Sequence, residues 1–346
     1  MNIMKKTKIL SLKAFASIFS NILFDQPKSF IEKNRQQLLL ENNVVAEFYN
    51  HTTNMYTGID GVLNFAPFTE VIPGFSWILT FAYPEKYKKQ IKFVFDKQKE
   101  MRNILWRNVD FSSCVRVLDF GCGYGADLIN LAQKYEHLQL SGYTISNKQA
   151  EIANQEIYKL NLQDRITIFN RDSSSDDFPD QYDIIFGFEV ASYIKNKRVL
   201  ISNVNNHMKN RGLLILADFI ANLAFPIEHE KTSSYIITKE QWIDLLSQNY
   251  LKVIDCIDVS HEIGNFLYDP NFQENLNHIP KISQNENVKS CMQAYNNLGK
   301  MLRKGLVSYV LLTAQKQSDF STNEIYKLNQ KSLIEIADYS NFIKNF

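Results

Sequence analysis

In VRVLDFGCGYGAD (115–127) an acid, Asp119, stands just ahead of three alternate glycines, Gly121, Gly123 and Gly125. Glycine has no Cβ, so such a loop turns tightly and lets a ligand approach the amide groups that open the next helix. Gly121, Gly123 and Ala126 also satisfy the dinucleotide fingerprint, which allows a small residue in the last place. Two residues argue against a dinucleotide. A carboxylate at Asp119 repels a pyrophosphate but organises the ammonium end of a methionine moiety. The next strand, LQLSGYTIS, ends in Thr144, where a dinucleotide fold needs an acid for the ribose. The chemistry that fits is S-adenosylmethionine (SAM) binding, with S-adenosylhomocysteine as product. Thr144 and Gln149 are then expected at the ribose hydroxyls and Asp172 at the adenine amino group, although an Asp before SSSDD could equally cap a turn. Tyr49 is expected at the cofactor from the segment ahead of the sheet.

Methyl transfer to oxygen needs an acceptor about 3 Å from the methyl carbon and a base beside its proton. Glu189 follows the fourth predicted strand, next to where the methyl should sit, and is expected to serve cofactor and catalysis alike. His229, in the PIEHEKTSSY loop, is the best placed candidate base, because histidine as a residue type can exchange a proton near neutral pH, and Glu228 or Glu230 could orient it. A lone loop histidine is also commonly a solvated residue. His261 with Glu262 forms a second candidate pair, and the other histidines read as structural or surface groups. No metal is expected, because no His and carboxylate group has the spacing of a dedicated site and DSSSDD lacks the calcium-loop pattern.

The elements that must hold these residues follow from the hydrophobic period. Val115, Val117, Leu118 and Phe120 form a short apolar run, and Leu128, Leu131, Ala132 and Tyr135 then recur at helical spacing. Further strands are predicted at LQLSGYTIS, RITIFNRD, YDIIFGFEVASYI, GLLILADFI, LKVIDCIDVS and GLVSYVLLTAQKQ, with helices between them and Ser146 as an N-cap. This is an α/β chain with a doubly wound, mainly parallel sheet of seven strands. Residues 1–110 lack that pattern and read as a helical N-terminal subdomain with an aromatic segment, a lid over the site. The core is expected over 111–318, with a helical insertion at about 262–304, and 319–346 as a polar tail with a last helix around Leu333 to Phe346.

Lys and Arg number 38 against 37 Asp and Glu, a formal charge of +1, which disfavours nucleic acid as the main partner. Cys114, Cys122, Cys256 and Cys291 show no CxxC spacing, so neither a zinc site nor a disulfide framework is expected. The basic, apolar N-terminus is interrupted by Lys13 and lacks a small-residue cleavage site, which reads as an amphipathic helix in a cytoplasmic protein without stable membrane insertion.

Taken together, DFGCGYGADL, GYTISNKQAEIA, NRDSSSDDFPDQYDIIFGFEVA and LADFIANLAFPIEHEKTSSYIITKEQW resemble the methyltransferase domains of bacterial modular polyketide synthases, especially the O-methylating ones, from about Glu47 to Leu312. GYTIS with Gln149 is more distantly similar to the cyclopropane-fatty-acid-synthase group. The resemblance implies a class I, Rossmann-like SAM-methyltransferase core under a helical lid, and a polyketide intermediate on an acyl carrier protein. It also implies a histidine-glutamate pair that deprotonates a β-hydroxyl or enol oxygen. Relatives tend to carry histidine after FEVA, whereas this chain has Ser192 and Tyr193, so the base would be His229, Tyr193 or another group. The implied activity is SAM-dependent O-methylation of an acyl intermediate. Methylation of an activated α-carbon and a non-methylating cyclase remain as alternatives.

Overall fold

The computed structural model describes residues 64–229, 233–283 and 286–344. The chain divides into two units, Met1–Val44 and Val45–Phe346, and everything described lies in the second. Tyr49, Glu230 and most of the expected lid fall outside the described residues.

Ahead of the sheet come α1 (Trp77–Ala82) and α2 (Lys88–Trp106). The first half of the core then alternates β1 (Arg116–Asp119), α3 (Ala126–Lys134), β2 (Gln139–Thr144), α4 (Asn147–Lys159), β3 (Ile166–Asn170) and β4 (Tyr182–Phe188). The second half continues with α5 (Lys197–His207), β5 (Met208–Ala221), a hairpin of β6 (Ile227–His229) and β7 (Ser234–Ile236), α6 (Lys239–Gln248) and β8 (Leu251–Asp258). The insertion between β8 and β9 (Val307–Lys316) consists of α7 (Ser260–Leu267), α8 (Phe272–Asn277), α9 (Pro280–Ser283) and α10 (Glu286–Arg303). After β9 follow α11 (Thr322–Ile334), β10 (Ala337–Asp338) and α12 (Tyr339–Ile343).

The main sheet runs β10-β8-β9-β5-β4-β1-β2-β3, with β9 alone antiparallel to its neighbours. The seven expected strands are present, and β10 adds a short parallel pairing to β8 at the edge. Side chains alternate along the central strands between two apolar clusters: Val117, Ile184, Ile215 and Leu311 join one, and Leu118, Ile185, Leu214 and Leu312 the other. Both faces are therefore covered, as a parallel sheet requires. Helices α2, α3 and the insertion close the first face, and α5, α6 and α11 the second.

Local signals explain many of the boundaries. Ser146 caps α4 through its hydroxyl, which accepts from the Gln149 amide at 3.2 Å. Thr238 and Gln241 form a capping box on α6, as Ser321 and Glu324 do on α11. One predicted boundary moves. The fourth strand stops at Phe188 instead of continuing to Ile194, because Glu189 adopts a left-handed φ of 59° and residues 191–193 form a 3-10 turn. Within the range expected for a last helix lies α12 (Tyr339–Ile343), and ahead of it runs a longer helix, Thr322–Ile334. The longer helix is anchored by buried Asn329, which accepts from the Val253 amide at 2.7 Å and donates to Leu251 O and Ser247 Oγ.

Candidate active site

Strand β1 delivers Asp119 to the carboxyl end of the sheet, and the glycine loop carries the chain from there into α3. Gly123 and Gly125 have φ of 51° and 76°, a conformation open to glycine at little cost. Gly121 serves a different need. A Cβ there would lie 2.3 Å from Val190 Cγ2, so its missing side chain lets the loop after β1 pack on the loop after β4. The Cys122 amide donates to Tyr143 O at 2.7 Å and ties the loop to β2.

Asp119 is buried, and its Oδ1 accepts from the Gly121 amide at 2.9 Å. Burial holds its carboxyl well above the usual carboxylate range, with nearby Asp127 adding to the rise and the Gly121 amide and Arg102 opposing it. Among the described residues it forms no ion pair, so a ligand ammonium would supply the missing opposite charge. Buried Thr144 donates its hydroxyl to Gln149 Oε1 at 2.9 Å, leaving the Gln149 amide nitrogen to donate elsewhere. Asp172 Oδ1 accepts from the Ser174 amide and hydroxyl at 2.9 and 2.7 Å, so the carboxylate organises its own turn. A buried acid without a paired cation, a glycine loop at a helix start and a Thr-Gln pair joining the end of β2 to α4 together fit the amino-acid and ribose parts of SAM.

The adjoining strand β4, whose Phe186 lies opposite Asp119, ends at Phe188, and Glu189 follows it directly. The Glu189 amide is held by Ala217 O at 2.7 Å, and its Oε1 accepts from the Phe65 amide at 2.8 Å and the Tyr309 hydroxyl at 2.9 Å. Oε2 carries no hydrogen bond among the described residues. Burial pushes this carboxyl up to about 8; the two hydrogen bonds oppose the rise, Asp218 adds to it, and Arg102 lowers it. A non-glycine residue at positive φ is uncommon, and the pairing of that strain with a perturbed acid makes Glu189 a candidate functional residue.

Tyr193 sits on the 3-10 turn, its hydroxyl 3.1 Å from that of Tyr295 on α10. Burial raises the phenols of Tyr193 and Tyr309 well above their ordinary value. Ser192 is buried, and its amide donates to Asp218 Oδ2 at 3.1 Å. Phe65, Trp77, Phe219 and Tyr295 form an aromatic wall here, with ring centres 5.8 to 6.2 Å apart. His229 lies exposed on β6, opposite Ser234 of β7. The hairpin is held beside the 3-10 turn by buried Lys197, whose ammonium donates to Ile194 O at 2.8 Å and to Tyr235 O. Of the second candidate pair, Glu262 is buried and accepts from the Ser340 hydroxyl, a structural use.

Asp119, Thr144, Gln149 and Asp172 therefore gather along the ends of β1, β2 and β3, and Glu189 and Tyr193 follow β4. Sequence reading passed over Asn64, Phe65, Arg102, Asp218, Tyr295 and Tyr309, because each is defined by a partner far away in the chain.

The strand order, the glycine loop and the acid at the end of β4 define a class I methyltransferase fold with its nucleotide-type site. A family model described as a methyltransferase domain matches residues 118–214. The O-methyltransferase of a trans-AT polyketide synthase multienzyme of Brevibacillus brevis, solved with S-adenosyl-L-homocysteine, is 38% identical with a TM-score of 0.77, covering 81% of this chain and 93% of that one. StiE O-MT residues 942-1257 are 41% identical with a TM-score of 0.76, covering 86% of this chain and 99% of that one. Polyketide synthase ThaQ of Burkholderia thailandensis is 36% identical over 282 residues, 82% of this chain, and the chain spans 13% of ThaQ's length. The chain belongs to the family of SAM-dependent methyltransferases of bacterial polyketide synthases. Among the described residues no helix is long and apolar enough to cross a membrane.

Proposed function

We propose that this chain methylates a hydroxyl or enol oxygen of a polyketide acyl intermediate presented as a thioester by an acyl carrier protein. The observation that carries the reading is Glu189: a carboxyl with one oxygen held by Phe65 and Tyr309 and the other open, at the end of the strand beside the glycine loop. SAM, when bound, supplies the activated methyl group. The protein's part is to hold the acceptor oxygen in line, exclude water and take its proton.

Glu189 Oε2 accepts that proton, with Tyr309 and the Phe65 amide fixing the carboxyl's orientation. Its raised pKa makes it a stronger base than an ordinary glutamate while leaving an ionised fraction near neutral pH. The Tyr193 phenol, kept protonated by burial, and the Tyr295 hydroxyl beside it donate to the acceptor chain's oxygens, and the aromatic wall keeps the site dry. His229 lies on an exposed hairpin, and in this reading the role of base goes to Glu189 instead. The O-methylating relatives at 38% and 41% identity favour oxygen over carbon as the acceptor.

The test uses SAM with a deuterated methyl group and two probes, a 3-hydroxyacyl and a 3-ketoacyl N-acetylcysteamine thioester, free and carrier-loaded. Label recovered as a methoxy group by mass spectrometry supports the reading. Label on carbon, or no transfer to any probe despite SAM binding, overturns it.

A further inference from the structure

Arg102 is buried on α2 and joins three segments that are remote in sequence. Its Nε and Nη2 donate to the two oxygens of Asp127 at 2.5 and 2.9 Å, and Nη2 donates also to Asn64 Oδ1. The guanidinium lies 5.9 Å from the centre of the Phe188 ring, the residue before Glu189. Asp127 occupies the first turn of α3, which the glycine loop begins. Asn64 donates to Phe188 O at 3.2 Å, and its own carbonyl accepts from the Gln98 amide. The next amide, that of Phe65, is the one that holds Glu189 Oε1.

We propose that Arg102 is a positioning residue that couples the glycine loop to the Glu189 carboxyl, through Asp127 on one side and Asn64 with Phe65 on the other. The proposal rests on the reading of Glu189 as proton acceptor. Hydrogen bonds, joined by the single covalent step from Asn64 to Phe65, run from the first turn of the cofactor helix to the acid. A guanidinium is suited to this: its planar fork engages one carboxylate bidentately and still has a donor for a third group, whereas an ammonium is a point charge. Because the pair is buried, loss of either partner leaves an uncompensated charge, so the arrangement holds as a unit. A shift of the α3 start when the loop is filled is thereby passed to the segment that orients Glu189. The charged and titratable groups facing Glu189 are Arg102 from α2, Tyr309 from β9, Asp218 from β5 and Tyr193 from the 3-10 turn.

The test is made on the full chain with Asn64→Leu, Arg102→Lys, Glu189→Gln and the Asn64→Leu/Glu189→Gln double variant. It reads S-adenosylhomocysteine binding by calorimetry, turnover of the 3-hydroxyacyl thioester and the pH profile of kcat. Asn64→Leu is expected to bind S-adenosylhomocysteine within about threefold of the parent and to lose about tenfold or more in kcat. The acid limb of its profile is expected to move up by about half a pH unit, since the Phe65 amide favours the ionised acid. Arg102→Lys is expected to weaken S-adenosylhomocysteine binding about fivefold or more, and Asn64→Leu is expected to add nothing to Glu189→Gln. An unmoved acid limb, or losses that multiply in the double variant, would mean that the network only supports the fold and would overturn the coupling. Full turnover by Glu189→Gln alone would instead remove Glu189 as acceptor.

Discussion

At the scale of single residues, the acid after β4 decides the most. Glu189→Gln keeps the shape and both donors but cannot take a proton, and we expect turnover to fall by about 10²-fold or more with S-adenosylhomocysteine affinity little changed. With a base of pKa about 8, kcat should rise with pH up to about 8 and level off above it. The same shift has a stability consequence of definite sign. Between the ordinary carboxyl range and about 8, the folded protein binds a proton that the unfolded chain has released, so Glu189 lowers stability as pH rises through that window. The Tm advantage of Glu189→Gln over the parent should therefore widen from about pH 5 to about pH 8 and then stay constant. Exposed His229 gives a contrasting expectation: His229→Ala should keep turnover within about threefold. A loss of an order of magnitude would return the base to the hairpin.

At the scale of elements, the glycine loop and the tail helix carry testable structure. Gly121→Ala places a methyl 2.3 Å from Val190, against the turn that sets the backbone of Glu189. It should weaken S-adenosylhomocysteine binding and lower turnover together, whereas a loop serving the cofactor alone would lose only binding. This division was not legible in the sequence: three glycines look equivalent there, and which of them faces protein depends on the loop of a strand that enters the sheet much later. Asn329→Leu removes the partner of the Val253 amide and strands that donor in the core. A loss of about 2–4 kcal/mol, read by urea unfolding, is expected.

At the scale of the whole molecule, the polar segment after β9 is part of the folded unit. Helix α11 lies on β8 and α6, β10 extends the sheet, and Tyr339 donates to Glu100 of α2 at 3.0 Å. A chain ending at Ser318 should fail to accumulate in soluble form or should melt well below the parent. Composition concealed this, because a helix that buries one asparagine and a few aliphatic residues reads as polar along most of its length.

Much of the α/β order was set by neighbours a few residues apart: apolar runs of strand length, helical spacing after the glycines, and Ser146 and Thr238 at helix starts. Those signals are local, so the chain alone determined the strands, the glycine loop and the acids at strand ends. The tertiary structure decided which distant groups meet. Asn64 and Phe65 reach Phe188 and Glu189 across 124 positions of sequence, Tyr309 reaches Glu189 across 120, and Arg102 reaches Asp127 across 25. Such pairs follow from the order of strands in the sheet and the helices packed on it, and no local period encodes them. The proposed proton acceptor was thus visible as a candidate glutamate, while its orientation, its raised pKa and its connection to the glycine loop came only with the fold.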